Sequence, residues 1–252
     1  MHILITGASS GLGAALAAHY AAPGVALALH GRDNARLAEV AARCRAAGAE
    51  VDTFIGDVRA RAALESWVAA RDAARPLDLV VANAGLSAGT GGGIETDEQT
   101  WRIFDTNVGG VLSTVLPALA GMRARQRGHI AIMASLAGFR GMPGAPAYCA
   151  SKAAVKVWGE ALRGTLAADN IAVSVICPGF VTTGMTKHNR FPMPFLMDAG
   201  RAARIIAIGL NKRKGRIAFP WPMAVLAWLG AALPDALAHR LTRRLPAKEA
   251  AA

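Results

Sequence analysis

Residues 3–13 read Ile3-Leu4-Ile5-Thr6-Gly7-Ala8-Ser9-Ser10-Gly11-Leu12-Gly13. The apolar run at the start is typical of a buried strand, and the glycines after it permit a tight turn before a helical pattern over residues 13–20. Such a turn lets backbone N–H groups approach a pyrophosphate at the N-terminus of the helix. Glycines alone are a weak signal, but their position between a first strand and a first helix indicates a dinucleotide site.

Outward from this turn, short apolar runs alternate with helical patterns. Continuous apolar runs indicate strands covered on both faces, and helical connections between them predict βαβ units with right-handed crossovers. We therefore predict an α/β fold, doubly wound and Rossmann-like, with a mostly parallel sheet of about seven strands and helices on both faces. The predicted strands are 3–6, 25–29, 51–55, 77–82, 129–134, 171–176 and 216–219, and the predicted helices are 13–20, 34–47, 60–73, 97–127, 148–168 and 198–211.

Length and composition favour one domain. The chain has 252 residues, 53% of them hydrophobic, and neither a repeat nor a linker interrupts it, so we predict a single domain over residues 1–252. Cys44, Cys149 and Cys177 are far apart, which supports neither a disulfide framework nor a zinc site. We expect no metal and a reducing, cytoplasmic setting.

Further motifs follow the glycine-rich turn in order. They are Asp57-Val58 after the third strand, Asn83-Ala84-Gly85 after the fourth, Asn107 in the long helix, Ser135 after the fifth strand, Tyr148-x-x-x-Lys152, and Pro178-Gly179-x-Val181-x-Thr183. This series, with the turn at residues 6–13, resembles the short-chain dehydrogenase/reductase family in its single-domain Tyr-x-x-x-Lys branch. The resemblance covers residues 3 to about 185.

The resemblance implies an oxidoreductase that moves hydride between a nicotinamide dinucleotide and a carbonyl or secondary alcohol. It also implies a homodimer or homotetramer. The catalytic residues that it implies are Asn107, Ser135, Tyr148 and Lys152. The dinucleotide-binding residues that it implies are Gly7, Ser9, Ser10, Gly11, Leu12, Gly13, Arg32, Asp57, Val58, Asn83, Ala84, Gly85, Tyr148, Lys152, Pro178, Gly179, Val181 and Thr183.

The Tyr148–Lys152 pair has a chemical rationale. Residues four apart share one face of a helix. A tyrosine with a pKa of about 10 is a poor base at neutral pH, and a nearby ammonium group favours tyrosinate. We therefore expect Lys152 to lower the pKa of Tyr148, which would exchange a proton with the substrate oxygen while Ser135 hydrogen-bonds that oxygen. By resemblance, Lys152 also holds the ribose of the nicotinamide and Asn107 holds a water.

The end of the second strand bears on the choice of dinucleotide. It reads Leu29-His30-Gly31-Arg32-Asp33. Sites for NAD place an acid at this strand end, whereas an arginine suits the 2′-phosphate of NADP. Gly31 stands at the acid position and Arg32 follows, which favours NADP(H) over NAD(H). Asp33 leaves an ambiguity, since it could cap the next helix or neutralise Arg32.

Two segments follow the Pro178 motif. The resemblance implies that residues 185–200 form a lid over the substrate, and the alternative is a surface loop without specific contacts. The apolar side chains predicted for its wall are Met185, Phe191, Met193, Phe195, Leu196 and Met197, and those that could meet an anion are Lys187, His188 and Arg190. Residues 219–245 form a tail that is first apolar and then basic. Packing on the protein, a subunit contact and a membrane interface at the inner face of the membrane are all left open for it.

The charge of the chain bears on which partners it could bind. The net charge is +11, and residues 201–252 hold ten basic and two acidic side chains. Such a surface could attract a phosphorylated substrate or an anionic membrane, or could simply be solvated. No recognition helix or stacking pattern indicates nucleic acid.

Three other functions compete with the leading one. A reductase of sugar or lipid precursors of the bacterial envelope is an alternative, by a distant resemblance of the lid and tail. A sugar-nucleotide epimerase would need more than the roughly 70 residues that follow the Pro178 motif. A non-catalytic dinucleotide sensor would be expected to lack Tyr148 or Lys152, and both are present.

Overall fold

One parallel sheet organises the computed structural model, which describes residues 1–186 and 191–242. Its seven strands in the described residues lie in the order β3-β2-β1-β4-β5-β6-β7. The strands are β1 His2–Thr6, β2 Ala26–Gly31, β3 Glu50–Ile55, β4 Leu79–Ala82, β5 Gly128–Met133, β6 Ile171–Pro178 and β7 Arg216–Phe219. The order reverses between β1 and β4, and a crevice opens there at the carboxyl ends of the strands. The predicted fold class is confirmed.

Helices cover both faces of this sheet. On one face lie α1 Gly11–Tyr20, α2 Asn34–Ala46 and α7 Ala199–Asn211, and on the other lie α3 Arg61–Ala74, α4 Asp97–Phe104, α5 Gly110–Ala124 and α6 Pro146–Thr165. Successive residues of β1 point to opposite faces, so that Ile3 and Ile5 enter one apolar core and Leu4 enters the other. Burial on both faces is the reason that the strands are continuous apolar runs.

The long helix predicted over residues 97–127 is interrupted. Asp105–Gly109 is π-helical, between α4 and α5, so the prediction of one regular helix is wrong there. The run Asp97–Ala124 is long and apolar enough to cross a membrane, but half of its most apolar stretch is buried inside the protein and α5 packs on α3. A π-helical turn within an α-helix often marks a functional site, and this one contains Asn107.

The predicted tail forms two further helices, α8 Trp221–Ala232 and α9 Asp235–Thr242. The inner side of α8 packs against β7 and the 3₁₀ turn Leu136–Gly138. Packing on the protein therefore accounts for one side of the tail. On the outer side Trp221 and Trp228 are 76% and 58% exposed. Residues 243–245 of the predicted tail lie outside the described residues.

Arg140 fastens these two helices to the rest of the fold. Its guanidinium donates to the carbonyl oxygens of Gly230 and Leu233 at 3.2 and 2.9 Å, where α8 ends and its carbonyls lack helical partners. It also pairs with Asp235 at 2.7 Å, at the start of α9. One side chain thus replaces the hydrogen bonds that the end of α8 cannot make within itself.

We expect Arg140→Met to loosen α8 and α9 while the sheet stays intact. Hydrogen bonds from a charged donor contribute roughly 1.5–3 kcal/mol each, so exchange of the amides of α8 and α9 should accelerate about tenfold or more. Hydrogen–deuterium exchange measures this. Arg61→Met, which removes an exposed pair with Glu65 inside α3, is the control. Unchanged exchange in α8 and α9 of the Arg140 variant would contradict this role.

Candidate active site

Glycine is required at three positions of the turn between β1 and α1. Gly7 and Gly11 have φ angles of +68° and +55°, in the left-handed region. A Cβ on Gly7 would lie 2.8 Å from Cα of Ala84, and one on Gly13 would lie 2.2 Å from the carbonyl oxygen of Gly7. The turn therefore packs directly on the chain after β4, and the N-terminus of α1 stands at the crevice, where a helix start favours an anion.

Asn83 and Thr6 join β4 to β1 at the point where the strand order reverses. The Asn83 amide donates to the carbonyl oxygens of Thr6 and Gly7 at 2.9 and 3.3 Å. In return, Oγ1 of Thr6 accepts from the backbone N–H groups of Asn83 and Ala84 at 3.2 and 3.3 Å. Asn83 thus lies at the predicted position, and its side-chain amide is engaged in holding the glycine turn.

Three polar side chains meet at the end of β5 and the start of α6. Ser135 follows β5, and Tyr148 in the first turn of α6 hydrogen-bonds the side chains of Ser135 and Ser87. Lys152 is one turn further along α6 and 4% exposed. Its Nζ donates to the carbonyl oxygen of Met133 at 2.8 Å. A phenol, a hydroxyl and an amine are therefore grouped as proton transfer to a bound oxygen requires.

The pKa values in this group differ in part from our expectation. Burial raises the pKa of Tyr148 above 10, although its hydrogen bonds to Ser135 and Ser87 act in the opposite direction. Burial also lowers the pKa of Lys152 to about 8. The expected lowering of the Tyr148 pKa by Lys152 is thus wrong for the protein alone, because desolvation disfavours phenolate and ammonium alike. At neutral pH Tyr148 holds its proton.

Asn107 is fully buried in the π-helical segment, and its amide is satisfied by protein groups. Oδ1 accepts from the N–H of Leu86 at 2.8 Å, and Nδ2 donates to the Leu86 carbonyl oxygen at 2.9 Å and to Oγ of Ser151 at 3.0 Å. Ser151 in turn donates to the carbonyl oxygen of Tyr148 at 2.8 Å. Asn107 therefore connects the chain after β4 to the helix that carries Tyr148. It does not line the cleft described below.

The charged groups after β2 and β3 resolve the ambiguity about Asp33. Asp33 caps α2, where it accepts from the N–H of Arg36 at 3.0 Å and pairs with the Arg36 guanidinium at 2.7 Å. Asp57 pairs with Arg59 at 2.8 Å, and hydrogen bonds from Arg59 hold the pKa of Asp57 below its ordinary value. The contact between Arg32 and Asp57 is long, with 3.9 Å between the guanidinium nitrogen and the carboxylate oxygen, and the Arg32 side chain is 65% exposed. The guanidinium is therefore available to an anion.

These groups line a single cleft of about 830 Å³ along the carboxyl edge of the sheet. Every predicted dinucleotide-binding residue lines it except Gly13, which packs beneath Gly7. Of the predicted catalytic residues, Ser135, Tyr148 and Lys152 line it. The structure thus brings together at one edge residues from seven separate segments of the sequence.

Part of the predicted lid, residues 185–200, lines the cleft. Met185, Phe191 and Phe195 line the cleft. Met197 instead is 7% exposed in the core, and its backbone pairs with the chain next to Val181. Met193 and Leu196 are outside the cleft lining. Lys187, His188 and Arg190 lie outside the described residues.

One partner of Tyr148 and several residues of the cleft lining were missed from the sequence. Ser87 hydrogen-bonds Tyr148, and nothing in its surroundings in the sequence signals that contact. Most of the missed residues of the cleft lining belong to the loop after β5 and to the tail, and include Phe139, Arg140, Met142, Met223, Leu226, Ala227, Gly230, Leu233, Ala238 and Leu241. The lack of charge over residues 219–234 was the available signal, but it does not specify which surface the helix covers.

Comparison with known proteins agrees with this geometry. The sequence model described as short chain dehydrogenase matches residues 1–193. An uncharacterized oxidoreductase of Myxococcus xanthus is 41% identical over 243 residues, which are 96% of each chain. Ketoacyl reductase HetN of Nostoc sp. is 33% identical over 196 residues, 77% of this chain and 68% of that one.

Solved structures share the fold over most of the chain. A short-chain dehydrogenase from Sphingobium yanoikuyae in complex with NADPH has a TM-score of 0.81 at 26% identity, over 99% of this chain and 98% of that one. A short-chain dehydrogenase from Mycobacterium paratuberculosis bound to NAD has a TM-score of 0.76 at 26% identity, over 86% and 94%. With the family match over residues 1–193, these likenesses place the chain among the short-chain dehydrogenases, and it is an oxidoreductase of that family.

Proposed function

We propose that this protein is an NADP(H)-dependent oxidoreductase that moves hydride between the nicotinamide and a carbonyl or secondary-alcohol substrate, with Tyr148 as general acid and base. The observation that carries the proposal is the Tyr148–Ser135 hydrogen bond beside the buried amine of Lys152. Relatives named ketoacyl reductase support a carbonyl substrate. We propose further that the protein acts in the cytoplasm as a homodimer or homotetramer, as is common in this family, and that the exposed outer side of α8 is the surface available for a subunit or membrane contact.

The residues present fit a dinucleotide. The glycine turn and the start of α1 form a cradle at the cleft that suits a diphosphate, and the turn packs so closely on the protein that neither Gly7 nor Gly13 leaves room for a Cβ. Arg32 is placed for an anionic 2′-phosphate. When bound, NADPH supplies the hydride. An acid in place of Gly31 would need Ser9 to move, since a Cβ there would lie 2.9 Å from Cβ of Ser9.

In reduction, Tyr148 would donate its phenolic proton to the substrate oxygen as carbon accepts hydride. Its raised pKa keeps that proton in place at neutral pH. Ser135 accepts a hydrogen bond from the N–H of Ala137 at 3.1 Å, and its own hydroxyl donates to the carbonyl oxygen of Pro178 over a long 3.5 Å. That weak bond could be exchanged for one to the substrate oxygen. Lys152 is anchored by the Met133 carbonyl, which leaves two further ammonium protons for the ribose and for the Tyr148 hydroxyl.

Replacing Tyr148 by Phe should abolish most turnover without loss of NADPH binding. General acid catalysis contributes about 10²–10⁴-fold, and the change removes the proton donor while keeping the ring. We would follow oxidation of NADPH by its absorbance across a panel of ketones, and NADPH binding by calorimetry. Tyr20→Phe is the matched control, because Tyr20 lies on α1 outside the cleft and its hydroxyl has no hydrogen-bond partner among the residues that the structure describes. Equal turnover by both variants would refute Tyr148 as the acid.

The pH dependence of kcat/KM for NADPH should report the protonation of the Lys152 amine. Its pKa of about 8 means that the ammonium is present below that pH and lost above it. The ratio kcat/KM for NADPH reports the free enzyme, so it should fall above about pH 8 by about tenfold per pH unit. An arginine stays protonated, so Lys152→Arg should remove this fall, whereas Lys156→Arg, one turn further along α6, should leave it. A fall that persists in Lys152→Arg would exclude Lys152 as its source.

Arg32 should set the preference for NADP. Removing a charged partner of the 2′-phosphate in Arg32→Ala should raise KM for NADPH by about tenfold or more and leave KM for NADH unchanged. The control is Arg36→Ala, since the Arg36 guanidinium is engaged by Asp33. Steady-state kinetics with NADPH and with NADH measure both KM values. An equal rise in KM for NADH would argue against recognition of the 2′-phosphate.

A further inference from the structure

The end of the cleft beyond Tyr148 is formed largely by the tail helices, whose side chains the proposed reaction does not use. Met223, Leu226, Ala227 and Gly230 of α8 and Ala238 and Leu241 of α9 line it. On α8 these positions are three or four residues apart, so they form one stripe on one face of the helix. A continuous apolar wall therefore extends from the catalytic group along about 10 Å of helix axis.

Among the described residues that line the cleft, those with charged side chains are Arg32, Asp57, Lys152 and Arg140. The first two belong to the dinucleotide end and Lys152 to the catalytic group. Arg140 stands at the far end, but its guanidinium is occupied by Asp235 and by carbonyl oxygens at the end of α8. In the part of the chain that the structure describes, a phosphate or carboxylate of a substrate would thus find no free cation at the far end.

The apolar stripe is also incompletely covered by the protein. No residue of α8 is fully buried, and Leu226 is 65% exposed although it lines the cleft. Apolar surface left in water is unfavourable by about 25 cal/mol per Å², and an apolar ligand that covers it recovers that free energy. A polar or sugar ligand would gain nothing from such a wall.

We propose that this end of the cleft binds the hydrocarbon chain of the substrate, and that the substrate is a medium- or long-chain aliphatic ketone or the corresponding secondary alcohol. The inference rests on the proposed function for the position of the reacting carbon. It adds a binding site for the chain, formed by α8 and α9 and held in place by Arg140.

Gly230 offers a way to shorten this site without disturbing the fold. A Cβ at Gly230 would meet no atom of residues 1–186 and 191–242 within 4 Å, although Gly230 lies on the stripe that lines the cleft. Leucine favours a helix more than glycine does. Gly230→Leu therefore adds a side chain to the open channel and should leave the thermal unfolding temperature unchanged or slightly raised.

The test is NADPH-dependent reduction of methyl ketones with alkyl chains from ethyl to decyl. For the unmodified protein kcat/KM should rise with chain length, by up to about fourfold per methylene. In Gly230→Leu the value for the decyl ketone should fall at least about tenfold while that for the ethyl ketone is unchanged. Gly164→Leu is the matched control, since Gly164 is also a helical glycine with open space around it but is outside the cleft.

Calorimetric binding of decanol to the NADPH-loaded protein separates the inference from the proposed function. Binding of decanol that is weakened by Gly230→Leu, without turnover of any ketone, would support the chain site and refute the proposed reaction. Turnover that is independent of chain length, or lost equally for ethyl and decyl ketones in Gly230→Leu, would overturn the chain site while the reaction stands. Absence of decanol binding would overturn it as well.

Discussion

The active site depends on how closely the first turn approaches the chain after β4. Thr6 and Asn83 exchange hydrogen bonds through both backbone and side chain, and Gly7 leaves no room for a Cβ against Ala84. This contact holds the crevice at the strand reversal in one shape. Because α1 starts immediately after the turn, the same contact places its N-terminus at the cleft. A larger residue at Gly7 would therefore displace both the diphosphate cradle and the loop that Asn107 holds through Leu86.

Much of the fold and site could be predicted because their determinants are local. The strands are buried on both faces and so are continuous apolar runs, and the turn at residues 6–13 demands glycine at fixed places. The interruption at Asp105–Gly109 could not be predicted, since one wider turn leaves the apolar pattern of a helix almost unchanged. The direction of the Tyr148 pKa also escaped prediction, because burial comes from distant segments whereas the Lys152 spacing is visible in the sequence.

The two ends of the cleft differ in chemistry, and they meet at Tyr148. Toward β2 and β3 the cleft holds Arg32 and Asp57, and toward α8 it holds methionine, leucine and alanine side chains. A charged dinucleotide and an apolar substrate can therefore each bind where the other is disfavoured. The buried amine of Lys152 lies at the boundary, where desolvation lowers its pKa to about 8. A ligand charge of opposite sign nearby would raise the pKa of Lys152 again.

Both sides of α8 are apolar, although only one of them packs on the protein. One side packs on β7 and lines the cleft, so a charge there would be buried beside the substrate. The other side exposes Trp221 and Trp228, and an ordinary surface helix would be polar there. The hydrophobic effect therefore does little to orient this helix, since either face is apolar. Arg140 supplies the missing orientation through the carbonyls at the end of α8, so a polar contact determines which apolar face lines the cleft.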